Sequence, residues 1–380
     1  MRLAIVNLTG GGMSGGYKKY LKTMLPRLSR HPEIEAILCA SPQSLAVPSW
    51  FGSMDNVTFV NCKPFSILGN HDADLQNRLN QFHPDVIYLP IERYFKHRDV
   101  PTVCKLMNML PMTRIRHASV CESIRNQLQK MITRKALERA QRIIAISGFV
   151  SDFLQKEWLI PSHKIGVVYY GVTLPSDEGL TIPAGVPLKW AGRFIFTAGS
   201  IELYRGLEDI IYALSKLKQC GMSEKVVIAG GARPSMKGYY RKLQELVNKL
   251  GLQDDVCWGG LLNDKEMTWC YRNAHVYVMS SRIEACPNTA LEAMACGSVI
   301  ISSNASPMPE FFGKAAIYYE TGNAGQLADC LTEVFHFSSA QKDALSQKAV
   351  IRAREFSWDD TVNKTIIELQ KAVACKVTGY

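Results

Sequence analysis

The most constraining feature of the sequence is an alternation, repeated twice, between short apolar runs and longer segments of helical character. Alternation of this kind is typical of α/β domains built on a parallel sheet. Residues 173–190, with three prolines, two glycines and no periodicity, separate the two series and predict a linker. The strand-like runs are 2–8, 35–40, 57–62, 85–90, 142–147 and 164–172 in the first series, and 193–200, 225–231, 256–260, 276–281, 298–303 and 315–320 in the second.

Length and composition agree with two soluble domains. The chain has 380 residues, 47% hydrophobic and 21% charged, too many for one ordinary core. No apolar run approaches the roughly 18 residues that a membrane span needs, and the start, MRLAIVNL, is typical of a first strand rather than a signal peptide. The 11 cysteines are scattered without CxxC spacing, which favours reduced thiols in a cytoplasmic protein. No cluster has metal-ligand spacing, so we expect no metal.

Residues Glu284 to Gly297, EACPNTALEAMACG, hold two carboxylates around an apolar segment. Proline fits the first position of a helix, so the segment predicts a helix from Pro287 that stops at Gly297. Strand-like runs flank it, and ligands of open α/β sheets lie where strands end and helices begin. Glu284 occupies such a place, where the N–H groups of Asn288, Thr289 and Ala290 are able to hold an anion. Taken singly, Glu284 is better explained as a solvated loop acid, and Glu292 as a residue that caps or pairs locally.

The first strand-like run leads into a glycine loop with the G-x-G-x-x-G spacing at Gly10, Gly12 and Gly15. A dinucleotide site also needs an acid at the end of the second strand, and 38–41 reads Leu-Cys-Ala-Ser. The functional interpretation that remains is that Gly15 and Gly16 let a phosphate or sugar approach the backbone. A merely permissive turn is the alternative.

Residues 197–211 predict a strand, a loop and a helix, with Arg205 just before the helix that Gly206 opens. An arginine beside free helix N–H groups can grip two oxygens of a diphosphate. By itself, this stretch also fits an ordinary surface arginine.

Taken together, these stretches resemble glycosyltransferase family 4, the retaining GT-B glycosyltransferases, over nearly the whole chain. The most specific element is the E-x7-E signature at Glu284 and Glu292. Further matches are the Gly15-Gly16 loop, RIIAISGFVSDFL (142–154), VVYYGV (167–172), GSIELYRG (199–206) and SNASPMPEFFG (303–313).

The resemblance implies an α/β fold of GT-B architecture, with two Rossmann-like, doubly wound parallel-sheet domains facing each other across a cleft. Residues 1–175 would form the N-terminal acceptor-side domain, onto which a C-terminal helix at about 359–376 packs back. Residues 176–358 would form the sugar-nucleotide-binding domain.

The resemblance also assigns roles to residues. Glu284 would bind hydroxyls of the donor sugar, Glu292 the ribose hydroxyls, and Arg205 the leaving diphosphate in place of a metal. Catalysis is assigned to Glu284, Arg205 and Asn108. The implied donor-binding set is Gly15, Gly16, Gly199, Ser200, Arg205, Glu284, Cys286, Pro287, Asn288, Thr289, Ala290 and Glu292.

Three positions depart from the family pattern. Ser200 stands where an arginine is common, so a neighbour such as Arg282 would have to supply that charge. Cys286-Pro287 replaces an aromatic residue and glycine. Met107 stands where a loop histidine is common, and methionine cannot transfer a proton, so the loop's role falls to Asn108, the backbone or the donor phosphate. His117 is a further candidate, although a lone histidine is more often structural.

The function implied is a metal-independent, retaining transfer of a hexose, from a UDP-sugar, to a hydroxyl of a cell-surface glycan or glycolipid such as lipopolysaccharide or capsule. No cofactor is expected beyond the substrate nucleotide. Two alternatives stay open: an NAD(P)-dependent oxidoreductase that uses the Gly10–Gly15 loop, and a sugar-nucleotide-binding protein without transferase activity.

The basic charge is concentrated in the first half of the chain. The net charge is +10, and residues 1–190 hold 23 Lys and Arg against 14 Asp and Glu. Residues 105–142 contain nine basic residues against two acids, which predicts peripheral, reversible contact with anionic lipid at the inner face of the membrane. A solvated helix face is the alternative, and nucleic acid is not expected as a partner. The nine are Lys105, Arg114, Arg116, Arg125, Lys130, Arg134, Lys135, Arg139 and Arg142.

Overall fold

The computed structural model describes residues 1–9, 15–66, 72–112, 120–176 and 178–377. They form two compact units. The N-terminal unit consists of the described residues within Met1–Gly171 and Trp358–Tyr380, and the C-terminal unit spans Val172–Ser357.

Each unit is built on one parallel sheet. The strands of the N-terminal unit are β1 (Arg2–Val6), β2 (Ala36–Ser41), β3 (Val57–Asn61), β4 (Val86–Leu89), β5 (Thr102–Leu106), β6 (Arg142–Ala145) and β7 (Ile165–Val167). Those of the C-terminal unit are β8 (Phe194–Ala198), β9 (Lys225–Ala229), β10 (Val256–Gly260), β11 (Val276–Met279), β12 (Ile300–Ser303) and β13 (Ile317–Tyr319).

The helices alternate with the strands. They are α1 (Gly15–Ser29), α2 (Ala73–Phe82), α3 (Val120–Arg139), α4 (Gly148–Lys156), α5 (Leu207–Gln219), α6 (Lys237–Lys249), α7 (Asp264–Asn273), α8 (Asn288–Ala295), α9 (Met308–Phe312), α10 (Ala324–Phe335), α11 (Ser339–Ala353) and α12 (Trp358–Val377). Among the described residues, no helix combines the length and apolar character needed to cross a membrane.

Both sheets are doubly wound. The strand order is β3-β2-β1-β4-β5-β6-β7 in the N-terminal unit and β10-β9-β8-β11-β12-β13 in the C-terminal unit. The order therefore reverses between β1 and β4, and again between β8 and β11. In such sheets ligands bind outside the carboxyl ends of the strands at the point of reversal. The predicted pair of doubly wound parallel-sheet units is confirmed, and each reversal marks a candidate site.

The apolar runs form central strands because helices cover both faces of the sheets. Strands β4, β8 and β11 are buried at every residue, as parallel sheets require. The pattern did not predict β5, since Lys105 interrupts its apolar run. That side chain is 1% exposed, and its ammonium lies 3.0 Å from the ring centroid of Tyr20.

The C-terminal helix α12 packs onto the N-terminal unit. Arg142 of β6 donates from Nε to Oε2 of Glu368 at 2.7 Å, and both side chains are at least nine-tenths buried. The rings of Tyr170 and Trp358 stack at 6.0 Å.

The burial of Lys105 and Arg142 corrects the predicted membrane patch. Both are core residues, so neither is free to contact lipid. Arg114 and Arg116 lie outside the described residues. The cations that remain belong to α3: Arg125, Lys130, Arg134, Lys135 and Arg139.

Candidate functional site

The reversal point of the C-terminal sheet brings two sequence-predicted residues into contact. Strands β8 and β11 are neighbours in the sheet, and the loops after them carry Arg205 and Glu284. Arg205 Nη1 lies 2.8 Å from Glu284 Oε1, with the side chains only 15% and 11% exposed. Ser281 donates from its hydroxyl to the same carboxylate oxygen at 3.0 Å. The guanidinium expected to meet a diphosphate and the carboxylate expected to meet a donor sugar therefore form one largely buried pair.

The backbone around Arg205 holds its guanidinium at this edge. The hydroxyl of Ser280 donates to the carbonyl of Arg205 at 2.7 Å. Gly199 has φ +136°, and a Cβ built there would lie 2.7 Å from Cζ of Arg205. Only glycine combines this backbone conformation with such a close approach. The guanidinium thus packs flat against the main chain at the end of β8.

Arg205 keeps its charge although it is buried. Burial alone lowers the pKa of its guanidinium, but Glu284, Tyr204 and Tyr277 together raise it by more, and the net pKa is raised. The charge is consequently available to an anion that replaces Glu284 as its partner. A cavity beside the pair is lined by Thr197, Ala198, Gly199, Arg205, Leu207, Ile228, Ala229, Met279, Ser280 and Ser281.

The second acid of the signature has a different partner. Glu292 lies on α8, and Oε2 accepts a hydrogen bond from the hydroxyl of Tyr271 on α7 at 3.0 Å. Tyr271 is 2% exposed, and burial followed by the charge of Glu292 raises its pKa well above the ordinary value. Tyr271 therefore stays a neutral donor that orients the carboxylate.

The start of α8 differs slightly from the prediction. Pro287 is the N-cap, with φ −78° and ψ 94°, and the helix begins at Asn288. The carbonyl of Pro287 accepts from the N–H of Ala290 at 3.0 Å. The predicted anion-binding role of the Ala290 N–H therefore needs correction, and those of Asn288 and Thr289 remain candidates. Cys286 and Pro287 are buried beside them.

Ser200 is exposed at this edge, and two partly exposed arginines of the C-terminal unit carry the charge that serine lacks. Arg282 donates from Nη2 to Oδ1 of Asp209 at 3.0 Å, and its side chain is 39% exposed. Arg233, in the segment after β9, pairs with Glu202 at 2.7 Å. Each is anchored by a buried carboxylate, and each arginine side chain is more than a third exposed.

The remaining predicted residues belong to the N-terminal unit. Gly15 begins α1, and Gly16 is partly buried. Asn108 is exposed just beyond β5, and Met107 beside it is partly buried. Gly10, Gly12 and His117 lie outside the described residues, so the Gly10–Gly15 loop is described only from Gly15 onward.

Sequence reasoning missed several contributors to this edge. Ser281 and Tyr271 hold the two acids of the signature, and Glu202 holds Arg233. The one local signal was that Ser281 stands three residues before Glu284. Tyr271 lies on another helix, so no sequence spacing links it to Glu292. In the part of the chain that the structure describes, no group of three or more His, Cys, Asp or Glu side chains is placed to hold a metal ion.

Two family models together account for most of the chain. Residues 185–350, which contain Arg205 and both signature acids, match the model described as glycosyl transferases group 1. Residues 14–174 match the model described as Glycosyltransferase Family 4. The chain belongs to glycosyltransferase family 4.

Relatives that are named as glycosyltransferases match more than half of the chain. D-inositol 3-phosphate glycosyltransferase of Mycobacterium leprae is 26% identical over 218 residues, 55% of this chain and 50% of that protein. O-antigen chain mannosyltransferase B of Escherichia coli is 22% identical over 61% of each chain. The chain thus spans about half the length of the first curated relatives it matches.

Among solved structures, HepE of Anabaena in complex with UDP-glucose has a TM-score of 0.73 and 17% identity, covering 97% of this chain and 99% of its own. At this level of identity the likeness concerns the fold. It confirms the GT-B class that the resemblance implied, with Rossmann-like parallel sheets of seven and six strands.

Proposed function

We propose that this chain is a retaining, metal-independent hexosyltransferase that takes its sugar from a UDP-sugar and passes it to a hydroxyl of a glycan or glycolipid. The observation that carries the proposal is the buried pair of Arg205 and Glu284 at the reversal point of the C-terminal sheet. One member is complementary to a diphosphate, and the other is complementary to sugar hydroxyls.

Binding would exchange partners within that pair. A diphosphate offers Arg205 two oxygens in the planar arrangement that a guanidinium grips best. Glu284, released from Arg205, would accept hydrogen bonds from sugar hydroxyls. Ser281 already donates to Glu284 and would keep the carboxylate oriented. A buried cation at the phosphates supplies electrostatically what a metal supplies in other transferases.

The chemistry would follow with retention. The bond between the anomeric carbon and the phosphate oxygen breaks, and a bond from the acceptor oxygen forms on the same face. The leaving phosphate oxygen takes the acceptor's proton, so no protein base is required. Arg205 stabilises the negative charge that grows on the phosphate, which is stabilisation of the transition state rather than of the bound substrate.

The relatives support the substrate classes. HepE was solved with UDP-glucose, and one relative is named for O-antigen chain mannosyl transfer. Carried to this chain, these names favour a nucleotide sugar as donor and a cell-surface glycan as acceptor. The Tyr271-oriented Glu292 is suited to the paired hydroxyls of a nucleotide ribose.

The test is a thermal-shift and calorimetric screen of the purified protein with UDP-glucose, UDP-galactose, UDP-N-acetylglucosamine, GDP-mannose, ADP-glucose, NAD and NADP, with and without EDTA. We expect stabilisation by a UDP-sugar that EDTA does not change, and slow release of UDP from it. Tight binding of NAD or NADP without sugar-nucleotide binding would favour the oxidoreductase. UDP-sugar binding with no release of UDP in the presence of acceptor glycans would favour a binding protein.

We also propose that α3 rests on anionic membrane. Three large apolar side chains of α3, at positions i, i+4 and i+7, share one exposed face: Ile124 is 65% exposed, Leu128 43% and Met131 58%. Of the exposed cations of α3, Lys135 and Arg139 continue this face towards the end of the helix, and Arg125 lies beside it. An apolar stripe between cations suits an interfacial helix, each cation near the surface adding about 1 kcal/mol.

Sedimentation with vesicles tests the membrane proposal. We expect binding to vesicles of phosphatidylglycerol and phosphatidylcholine at low salt and none to phosphatidylcholine alone. Lys135→Glu with Arg139→Glu should abolish it, and Ile124→Ser with Met131→Ser should weaken it. The matched control is Arg241→Glu with Lys242→Glu, the same charge change on exposed residues of α6. No vesicle binding at low salt, or an equal loss in the control, contradicts the proposal.

A further inference from the structure

The N-terminal sheet has a buried carboxylate at its own reversal point. Glu92 follows β4, the strand at which the order of that sheet reverses, and it is 7% exposed. Oε1 accepts hydrogen bonds from two consecutive main-chain N–H groups, those of Met107 and of Asn108, the second at 2.9 Å. These two residues form the loop directly after β5, the neighbouring strand.

The segment that carries Glu92 is itself held in place. The thiol of Cys104 in β5 donates to the carbonyl of Ile91 at 3.4 Å. Arg93 donates from Nη1 to the carbonyl of Glu92 at 2.7 Å, and its guanidinium lies 5.4 Å from the ring centroid of Phe65. The position of the Glu92 carboxylate is therefore fixed, and the carboxylate in turn holds the backbone of the loop after β5.

A carboxylate costs free energy when it leaves water unless hydrogen bonds compensate. Bonds from N–H groups to an ionised acceptor are about twice as strong as neutral ones. Because one carboxylate oxygen accepts from two successive amides, it fixes the path of the main chain through Met107 and Asn108. The Asn108 side chain, which is exposed, is thereby presented at the carboxyl edge of the sheet.

We propose that Glu92 is a positioning residue for transfer, acting through the Met107–Asn108 loop. The inference rests on the proposed function and on the role that the family resemblance implies for Asn108, beside the methionine that replaces the family's histidine. It assigns to Glu92 the task of presenting Asn108 in one orientation. Glu92 itself need not touch either substrate.

Two substitutions test the proposal. Glu92→Gln keeps an acceptor oxygen without the charge, and Glu92→Met keeps the approximate volume without any acceptor. With the UDP-sugar found in the screen, we expect kcat to fall about threefold in the first and about tenfold in the second, because misplacing Asn108 costs no more than removing its hydrogen bond. The Kd for UDP should stay within about twofold, because the Arg205 and Glu284 side belongs to the other unit.

The chain offers a matched control in Asp72. That carboxylate is also buried, at 4% exposure, and also accepts from two main-chain N–H groups, of Lys63 at 2.6 Å and Leu75 at 3.1 Å. It caps α2 and does not contact the loop after β5. Asp72→Asn should lower the melting temperature about as much as Glu92→Gln while kcat stays within twofold of wild type.

Two further readouts separate positioning from bulk stability. Exchange of the Met107 and Asn108 amides with deuterium should be about tenfold to a hundredfold faster in Glu92→Met and unchanged in Asp72→Asn.

Burial raises the pKa of Glu92, although its N–H donors and Arg93 lower it in part, so turnover should fall as pH drops and Glu92 gains a proton. Arg93 and the Cys104 thiol are the ionisable groups that act on it. Glu92→Gln should lack this acid limb.

The outcomes are distinguishable. Active wild type with both Glu92 variants within twofold of its kcat overturns this inference alone. Equal losses of kcat in Glu92→Met and Asp72→Asn overturn it as well, since they indicate a structural effect. A wild-type chain that releases UDP from no UDP-sugar overturns the proposed function and this inference together.

Discussion

The carboxyl edges of the two sheets hold buried carboxylates in contrasting ways. In the C-terminal unit, Glu284 is held by the side chains of Arg205 and Ser281. In the N-terminal unit, Glu92 is held by the main chain of the neighbouring loop. Side-chain partners can rotate away when a ligand offers better ones, whereas main-chain donors cannot leave without moving a strand end. The first edge is thus suited to exchanging partners, and the second to keeping its shape.

The largest effect should follow from removing the exchangeable carboxylate. We expect Glu284→Ala to lower turnover by a factor of about 10²–10³, the usual loss for one group that orders charge at a reacting centre. The measurement is the initial rate of UDP release at saturating UDP-sugar. Glu245→Ala on the exposed side of α6 is the control, and a Glu284 variant with wild-type turnover would remove Glu284 from the site.

The next effect concerns its cationic partner. Arg205→Ala should lose about a hundredfold in turnover, and Arg205→Lys about tenfold, because charge at the diphosphate matters more than the planar fork. Lys218→Ala, which breaks the 2.7 Å pair with Asp255 near the end of α5, should leave turnover unchanged. Equal rates for Arg205→Ala and wild type would mean that the diphosphate is neutralised elsewhere.

A smaller effect, on binding alone, is expected where a carboxylate is oriented by tyrosine. Glu292→Ala should weaken UDP binding by about 1–3 kcal/mol, and Tyr271→Phe by about 1 kcal/mol, through lost hydrogen bonds. Isothermal titration of UDP measures both. The control is Tyr318→Phe, whose hydroxyl donates to the carbonyl of Gly313 at 2.7 Å. If Tyr271→Phe changes kcat and leaves UDP affinity intact, the ribose assignment of Glu292 fails.

The smallest effect should come from the loop that the fixed carboxylate supports. Asn108→Ala is expected to lower turnover about tenfold, a common loss for one hydrogen-bonding group, with UDP affinity unchanged. Met107→Leu should be nearly silent, because a thioether neither donates to a hydroxyl nor accepts a proton at neutral pH. An inactive Met107→Leu variant with normal folding would show a role for the sulfur and weaken the contrast between the two edges.

Local patterns predicted the two parallel-sheet units and the residues at the carboxyl edge of the C-terminal sheet. Strands such as β8 and β11 are apolar throughout because both faces are covered, and the loops that follow them carry Arg205 and Glu284 at recognisable spacings. Their contact follows once the two strands are neighbours at the reversal point. The family resemblance placed the same residues in the donor site.

Two features were not predicted correctly: the role of Glu92 at the carboxyl edge of the N-terminal sheet, and the burial of two cations of the basic patch. The partners of Glu92 and Tyr271 belong to neighbouring elements, so their roles exist only after the sheet and helices have assembled. Charge usually signals exposure, so the sequence places Lys105 and Arg142 in the predicted membrane patch. In the fold, Lys105 packs against the ring of Tyr20 and Arg142 pairs with Glu368, both inside the N-terminal unit.

The return of α12 to the N-terminal unit has a consequence for synthesis on the ribosome. Arg142 lies in β6, but its partner Glu368 follows 226 residues later, after the whole C-terminal unit has been translated. The N-terminal segment therefore leaves the ribosome before Glu368 is made, and Arg142 lacks its carboxylate partner in the partly formed core. The C-terminal unit is one continuous segment, so it can fold as soon as it has been translated. Residues 1–171 expressed alone should be prone to aggregate, and supplying residues 358–377 as a separate peptide should rescue them.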